Sequence, residues 1–285
     1  MFKIIISIAI SSLFFSPCLT CADAQNTSKS TDIPRGQFAD INNHKMYYER
    51  YGQGRPLVLL HGGATSIQFS FENQIAFFSP TREIIAIEQV GHGHTPDTIA
   101  PFSYFQMADD TSALLHSLNI VNADIIGWSD GGILALLIAR RHPELVHRLV
   151  VSGANTRLVG MTSADIKEIQ KSSPEKLAAD LGTQARDDYI SKSPDGANHW
   201  PIIAKKVWDL WLTPMILEDK DLALINIPAL IISGDKDVIP VEHAIEIFRA
   251  LPNGQLLVLP GTAHHTFKSA ASTVNPIIST FINAP

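Results

Sequence analysis

The chain has 285 residues, of which 45% are hydrophobic and 18% are charged. This length and apolar content favour one large domain with an insertion over two independent domains. The formal net charge is −6 and no long run of lysine or arginine occurs, which disfavours binding to nucleic acid or to an anionic membrane surface.

The first 24 residues have the features of a secretory signal peptide. Lys3 gives a positive start, residues 4–15 form an apolar run too short to span a bilayer comfortably, and residues 22–24 form an A-x-A cleavage sequence. Cleavage there removes Cys18 and Cys21, the only two cysteines, so the mature chain forms no disulfide. We expect a periplasmic or secreted protein without a stable membrane anchor, and an uncleaved anchor is the alternative.

Strand patterns and helix patterns alternate after a polar, flexible leader over residues 25–37. Residues 38–49 form a predicted antiparallel hairpin around a turn at 42–44. Later apolar runs predict strands at 56–60, 83–88, 123–127, 149–152, 229–233 and 255–259. Strands that are apolar throughout indicate an α/β fold, with a mostly parallel central sheet flanked by helices. Such a sheet places its reactive loops at the carboxyl ends of its strands.

Residues 161–221 interrupt this alternation, because the segment is polar and helical in pattern. It contains Trp200, Trp208 and Trp211, three of the four tryptophans. We predict a helical cap inserted between two parts of the core, 38–160 and 222–285. Aromatic side chains of the cap can line a substrate pocket, or they can simply pack the cap onto the core.

The most informative motif is Gly127-Trp128-Ser129-Asp130-Gly131, which lies between a predicted strand and a predicted helix. The pattern G-x-S-x-G places a serine on a sharp turn between these two elements. Ser129 is therefore the predicted nucleophile. The alternative is a glycine-rich turn with an incidental serine.

A serine hydroxyl needs a base to take its proton and a carboxylate to orient that base. The loop that follows the strand at 229–233 contains Asp235 and Asp237, and the loop that follows the strand at 255–259 contains His264 and His265. Serine, acid and histidine thus occur in an order that the chemistry allows.

These motifs together resemble the α/β-hydrolase superfamily, serine esterase type, from about residue 38 to the C-terminus. The resemblance implies that Asp237 is the acid and His264 the base, with Asp235 and His265 as the second choices. Residues 61–64, His-Gly-Gly-Ala, resemble the HG loop of the family. The resemblance implies an oxyanion hole made by the N–H of Asp130 and that of Gly63 or Ala64, and the sequence leaves the last choice open.

Further histidines are expected to be structural. His61 is expected to support its loop from beneath. The segment 91–95 resembles a G-x-G loop of the family, which commonly has Asp and Arg where this chain has Glu88 and Val90. No carboxylate is evidently arranged with His92 and His94, so we expect a loop role for them and no metal site.

A serine nucleophile favours acyl transfer to water, so the expected partner is a small-molecule carboxylic ester, with lactones included, and neither cofactor nor metal is required. An amidase, a peptidase or a C–C bond hydrolase with the same three residues is the alternative, and a non-catalytic binding protein is another. The sequence does not indicate an oligomeric state.

The nucleophile region also resembles the branch of the family that contains valacyclovir hydrolase. That resemblance implies that Asp130 reads a substrate amino group, as in amino-acid esters or amino-sugar macrolides. The alternative is that its carboxylate only complements the positive end of the helix. Asp130, Trp128, Trp208 and Trp211 are the predicted substrate-binding residues.

Overall fold

A computed structural model of the protein describes residues 36–161, 163–171, 173, 176, 179, 182–214 and 216–285. The predicted signal peptide and residues 25–35 of the predicted leader lie outside the described residues. Strand β1, Gly36–Ile41, begins before residue 38, so the leader boundary at residue 37 was wrong. The physical reason is pairing, because Gly36 and Gln37 lie opposite Glu49 and Tyr48 of the next strand.

The first two strands form the predicted hairpin. Strand β1 pairs antiparallel with β2, His44–Tyr51, through a turn at Asn42 and Asn43. Both turn residues have positive φ, 46° and 70°. A two-residue turn of this kind matches the twist of the strands, and asparagine is among the residues that adopt it most readily.

The two hairpin strands belong to an eight-stranded sheet with the order β1-β2-β4-β3-β5-β6-β7-β8. Its other strands are β3 Pro56–Leu60, β4 Glu83–Ile87, β5 Ala123–Trp128, β6 Val146–Ser152, β7 Ala229–Gly234 and β8 Gly254–Leu259. Strand β2 is antiparallel to β4, and the pairs from β4 to β8 are parallel. The predicted α/β architecture is therefore confirmed.

Helices cover both faces of the sheet. In chain order the described helices are α1 Ile67–Phe78, α2 Tyr104–Ser117, α3 Asp130–Arg141, α4 Ser163–Lys171, α5 Gly182–Lys192, α6 Trp200–Trp211, α7 Asp219–Leu222, α8 Val241–Ala250, α9 Thr266–Ser269 and α10 Ala271–Ile282. Successive side chains of a strand point to opposite faces. Accordingly Leu57 and Leu59 of β3 belong to one apolar cluster, and Val58 and Leu60 belong to another.

Four of these helices, α4 to α7, lie between β6 and β7, where the cap was predicted. Trp200 is buried in this segment and packs against Tyr189, with ring centroids 5.4 Å apart. Across the described ranges, no helix is both long enough and apolar enough to cross a membrane.

A buried ion pair joins β5 to the loop that precedes β4. Arg82 Nη2 lies 2.5 Å from Asp124 Oδ2, and the two side chains are only 4% and 0% exposed. Arg82 also donates to the carbonyl of Arg55, and His147 Nδ1 lies 2.8 Å from the other oxygen of Asp124. These hydrogen bonds offset part of the cost of removing both charges from water.

We expect Asp124→Asn to lower the free energy of unfolding by about 3–5 kcal/mol, because it leaves the Arg82 charge buried without a counter-charge. Urea unfolding measures the loss. The matched control is Asp209→Asn, which breaks an exposed pair with Lys205 and is expected to cost less than about 1 kcal/mol. Equal losses in the two variants would contradict the importance of the buried pair.

Candidate active site

Ser129 lies on the sharp turn between β5 and α3. Its backbone has φ 54° and ψ −123°, a conformation that costs a non-glycine residue about 1–3 kcal/mol. Three hydrogen bonds hold it there: its N–H donates to the Ser152 carbonyl at 2.8 Å, and its own carbonyl accepts from the N–H of Gly132 at 2.8 Å and from that of Ile133 at 3.2 Å. The surrounding structure therefore fixes the strained backbone of the predicted nucleophile.

Glycines make this turn possible because other backbone segments pass very close to it. A Cβ on Gly131 would lie 1.9 Å from the carbonyl oxygen of Leu60. A Cβ on Gly127 would lie 2.2 Å from the carbonyl oxygen of Gly131. Backbone atoms cannot move aside cheaply, so both glycines of the G-x-S-x-G pattern are required by packing.

The three predicted catalytic side chains form one chain of hydrogen bonds. His264 Nε2 lies 2.9 Å from Ser129 Oγ, and His264 Nδ1 lies 2.7 Å from Asp237 Oδ1. The Asp237 side chain is fully buried and also accepts from the N–H of Ile239. Since Asp237 follows β7 and His264 follows β8, the parallel sheet brings them to the edge where Ser129 lies.

The second choices for acid and base lie outside this chain of hydrogen bonds. Asp235 accepts a hydrogen bond from the N–H of Thr262, within the loops. The His265 ring packs on Trp128 with centroids 3.9 Å apart, and burial lowers the pKa of His265 to about 4. Trp128 in turn donates from Nε1 to the His264 carbonyl at 2.9 Å, which anchors the histidine loop to β5.

The loop after β3 brings Gly63 to the site and directs Ala64 elsewhere. Gly63 lines the cavity that contains Ser129, whereas Ala64, at φ 56°, lines a small neighbouring pocket with His92. Within the described ranges, no carbonyl accepts from the N–H of Gly63 or of Asp130. The geometry therefore favours Gly63 over Ala64 as the partner of Asp130 in an oxyanion hole.

Asp130 is buried at the start of α3, with its carboxylate in the same cavity. Tyr104 Oη donates to one oxygen at 2.9 Å, and Trp211 Nε1 donates to the other at 3.0 Å. Burial raises the pKa of Asp130, and the two hydrogen bonds act in the opposite direction. Tyr104 was not predicted from the sequence, because its contact with Asp130 joins α2 to the start of α3.

The cavity has a volume of about 440 Å³ and a largely apolar lining. The aromatic and aliphatic side chains that line it are Phe69, Tyr104, Trp128, Met161, Ala185, Trp211, Ile216, Val238 and Ile239. Trp208, a predicted substrate-binding residue, does not line it. Trp208 lies one helical turn before Trp211 on α6, and the Nζ of Lys205 is 5.9 Å from its ring.

His61 lies beneath the site between two loops. Its Nε2 accepts from the N–H of Gln89 at 3.0 Å, and its Nδ1 lies 2.8 Å from the Gly62 carbonyl. Burial lowers the pKa of His61 to about 3, so the ring is neutral. It therefore links the loop after β3 to the loop after β4, without reaching Ser129.

Glu88 is a carboxylate in contact with His94 in the loop after β4. The expectation that no carboxylate is arranged with His92 and His94 was therefore wrong for His94. It accepts from the N–H of His94 at 2.6 Å, and its carboxylate lies 3.0 Å from His94 Nδ1. His92 Nδ1 lies 2.9 Å from the carbonyl of Val90. Glu88 thus stabilises the loop in a chain that departs from the usual pattern of the family.

Comparison with known proteins agrees with this architecture. A family model described as the alpha/beta hydrolase fold matches residues 55–192. Serine hydrolase BPHL from Mus musculus is 27% identical over 255 residues, covering 85% of this chain and 84% of that protein. Pimeloyl-[acyl-carrier protein] methyl ester esterase from Neisseria meningitidis is 29% identical over 257 residues, covering 80% of this chain and 93% of the esterase.

A solved structure shares the fold. The serine hydrolase involved in carbazole degradation, the CarC enzyme, superposes with a TM-score of 0.73 at 18% identity, covering 88% of this chain and 99% of the other. The order of the strands, the turn at Ser129 and these similarities lead to one assignment. The chain belongs to the α/β-hydrolase superfamily and is a hydrolase.

Proposed function

We propose that this protein hydrolyses carboxylic esters, lactones included, through an acyl-enzyme intermediate on Ser129. The observation that carries the proposal is the 2.9 Å contact between Ser129 Oγ and His264 Nε2 inside a largely apolar cavity. A base within hydrogen-bond reach of a hydroxyl is what nucleophilic catalysis by serine requires.

In the first half of the proposed reaction, Ser129 Oγ attacks the ester carbonyl and His264 Nε2 takes the hydroxyl proton. Asp237 accepts the hydrogen bond from Nδ1–H and stabilises the imidazolium that forms. The N–H groups of Gly63 and Asp130 bind the oxyanion of the tetrahedral intermediate. The intermediate collapses, the bond to the alcohol breaks, and His264 returns the proton to the departing alcohol.

In the second half, water replaces the alcohol. His264 takes a proton from water as the water oxygen attacks the acyl carbonyl, and the second tetrahedral intermediate uses the same two N–H donors. Its collapse breaks the bond to Ser129 Oγ, which recovers its proton from His264. The products are the carboxylic acid and the alcohol, and a lactone gives both in one hydroxy acid.

We expect Ser129→Ala to lower kcat for p-nitrophenyl butyrate by about 10⁴ to 10⁶-fold, since the attacking oxygen is lost. Asp237→Asn is expected to lower kcat by about 10⁴-fold, because the imidazole loses its orienting carboxylate. Release of p-nitrophenol by the protein comprising residues 25–285 measures both effects.

The matched control is Asp235→Asn, which changes the neighbouring carboxylate and should leave kcat within about twofold. Full activity in Ser129→Ala would overturn the proposed nucleophile. A larger loss of kcat in Asp235→Asn than in Asp237→Asn would assign the role of the acid to Asp235. Faster turnover of an anilide than of the ester with the same acyl group would favour the amidase alternative over the esterase.

Asp130 supports a narrower proposal, that the preferred esters carry an amino group. Its carboxylate lies in the cavity wall, and the hydrogen bonds that it accepts from the described part of the chain come from the neutral donors Tyr104 and Trp211. Among the described residues, no lysine or arginine is paired with it. A substrate ammonium group would supply the missing counter-charge inside an apolar site, where such a pair is strongest.

We expect Asp130→Asn to reduce kcat/KM for phenylalanine methyl ester by about 10 to 100-fold, the equivalent of about 1.5–3 kcal/mol from one charge-assisted hydrogen bond. Methyl 3-phenylpropionate lacks only the amino group. The kcat/KM for this ester should change little, because Asn keeps the backbone N–H of the oxyanion hole. Initial rates measured in parallel on the two esters give the ratio of their kcat/KM values.

An unchanged ratio would show that Asp130 does not bind a substrate amino group. Its carboxylate would then serve only to stabilise the positive N-terminal end of α3. Asp209→Asn, a substitution on the exposed side of α6, is the control for general effects of losing one negative charge. Its ratio should match that of the unaltered protein.

The N-terminal sequence supports export, so we propose that the enzyme acts in the periplasm or outside the cell. Its substrates would then be compounds that reach that compartment. Processing is tested by N-terminal sequencing of the protein recovered from the periplasm, and a mature chain that begins at Gln25 is expected. An unprocessed chain beginning at Met1 would contradict cleavage.

A further inference from the structure

Three side chains with metal-binding atoms meet at the end of α3 that is far from Ser129. His116 lies near the end of α2, His142 follows α3 directly, and Glu144 lies in the short 3-10 helix Pro143–Leu145. One atom from each side chain lies within 4.8 Å of the other two. The 12 residues of α3 separate this cluster from the nucleophile by about 18 Å.

The distances in the cluster approach those of a coordinated ion. His116 Nε2 lies 3.5 Å from Glu144 Oε1, and His142 Nδ1 lies 3.8 Å from the same oxygen. Two ligands about 2.0–2.1 Å from a tetrahedral Zn²⁺ are separated by about 3.3 Å. Both nitrogen–oxygen distances therefore lie close to the spacing of two ligands on one zinc ion.

A fourth residue orients one of the imidazoles. His142 Nε2 lies 3.3 Å from Asp109 Oδ1, while Nδ1 faces Glu144. An N–H directed from Nε2 to a carboxylate leaves the lone pair of Nδ1 free for a metal, which is the usual arrangement of a histidine ligand. Asp109 is held in place by a two-oxygen contact with Arg141.

We propose that His116, His142 and Glu144 bind one Zn²⁺, or a divalent transition ion of similar chemistry, and that Asp109 positions His142. Two imidazole nitrogens with one carboxylate oxygen form a donor set that zinc uses, with water as the fourth ligand. The ion joins the end of α2 to the end of α3. Its function is to stabilise the packing of these helices, and it takes no part in the reaction at Ser129.

The test is calorimetric titration of ZnCl₂ into the protein comprising residues 25–285 without a histidine tag. Saturable binding of one Zn²⁺ per chain is expected, together with a rise in Tm, because an ion that binds only the folded state stabilises it. MgCl₂ should produce neither effect, since Mg²⁺ prefers oxygen ligands. The absence of saturable Zn²⁺ binding would overturn the proposal.

Variants then locate the ion. His116→Gln, His142→Gln and Glu144→Gln should each abolish the binding step and the rise in Tm, whereas Glu72→Gln, an exposed change on α1, should keep both. Asp109→Asn should weaken Zn²⁺ binding by about 10 to 100-fold, the usual effect of losing a residue that orients a ligand.

Two controls complete the design. Circular dichroism without metal checks that each variant folds, and ester turnover should be the same in all of them because the cluster is remote from Ser129. Zn²⁺ binding that persists in all three ligand variants would place the ion elsewhere and overturn the assignment.

Discussion

The strained backbone of Ser129 is the constraint on which the rest of the site depends. A residue at φ 54° remains in that conformation only if its surroundings fix it. Strand β6 supplies the Ser152 carbonyl, and β3 approaches so closely that Gly131 has no room for a side chain. Helix α3, which begins at this turn, is buried along ten consecutive residues from Asp130 to Ala139. Burial of that helix contributes far more free energy than the strain costs, so the Ser129 side chain faces the cavity while its backbone is held rigidly.

The parallel sheet then determines which side chains lie close to Ser129. The loops after β7 and β8 end at the same edge as the turn after β5, so His264 reaches Ser129 across more than 100 residues of sequence and Asp237 contacts His264 there. Trp128 adds a direct tie, because its indole donates to the backbone of His264. His264 is thus held from both sides, by Asp237 at its ring and by Trp128 at its carbonyl. Such preorganisation is what the proposed catalysis at Ser129 requires, since little reorganisation remains for the reaction step.

The sequence predicted most of the sheet and the candidate catalytic residues because both have local signatures. Apolar runs mark buried strands, and loop motifs mark Ser129, Asp237 and His264. Residues that act through distant contacts had no such signature, which is why Tyr104 was missed and the role of Glu88 was not foreseen. From the sequence, Trp208 and Trp211 were both predicted to bind substrate. Their positions on α6 separate them, because Trp211 at the end of the helix reaches the cavity and Trp208, one turn earlier, does not.

The same helix explains how the segment between β6 and β7 is held against the core. Near its middle, Lys206 pairs with Asp97 in the loop that follows β4, and the Asp97 side chain is only 5% exposed. His199, just before the helix, also lies 2.8 Å from Asp97. At the far end, Trp211 donates to Asp130. Polar contacts to Asp97 and to Asp130 therefore fix α6 to the core at two points, and a buried charge pair resists separation more than an exposed one does. A segment held in this way presents a largely preformed cavity, so under the proposed function the shape of that cavity and the carboxylate of Asp130 can act on a substrate without movement of α6.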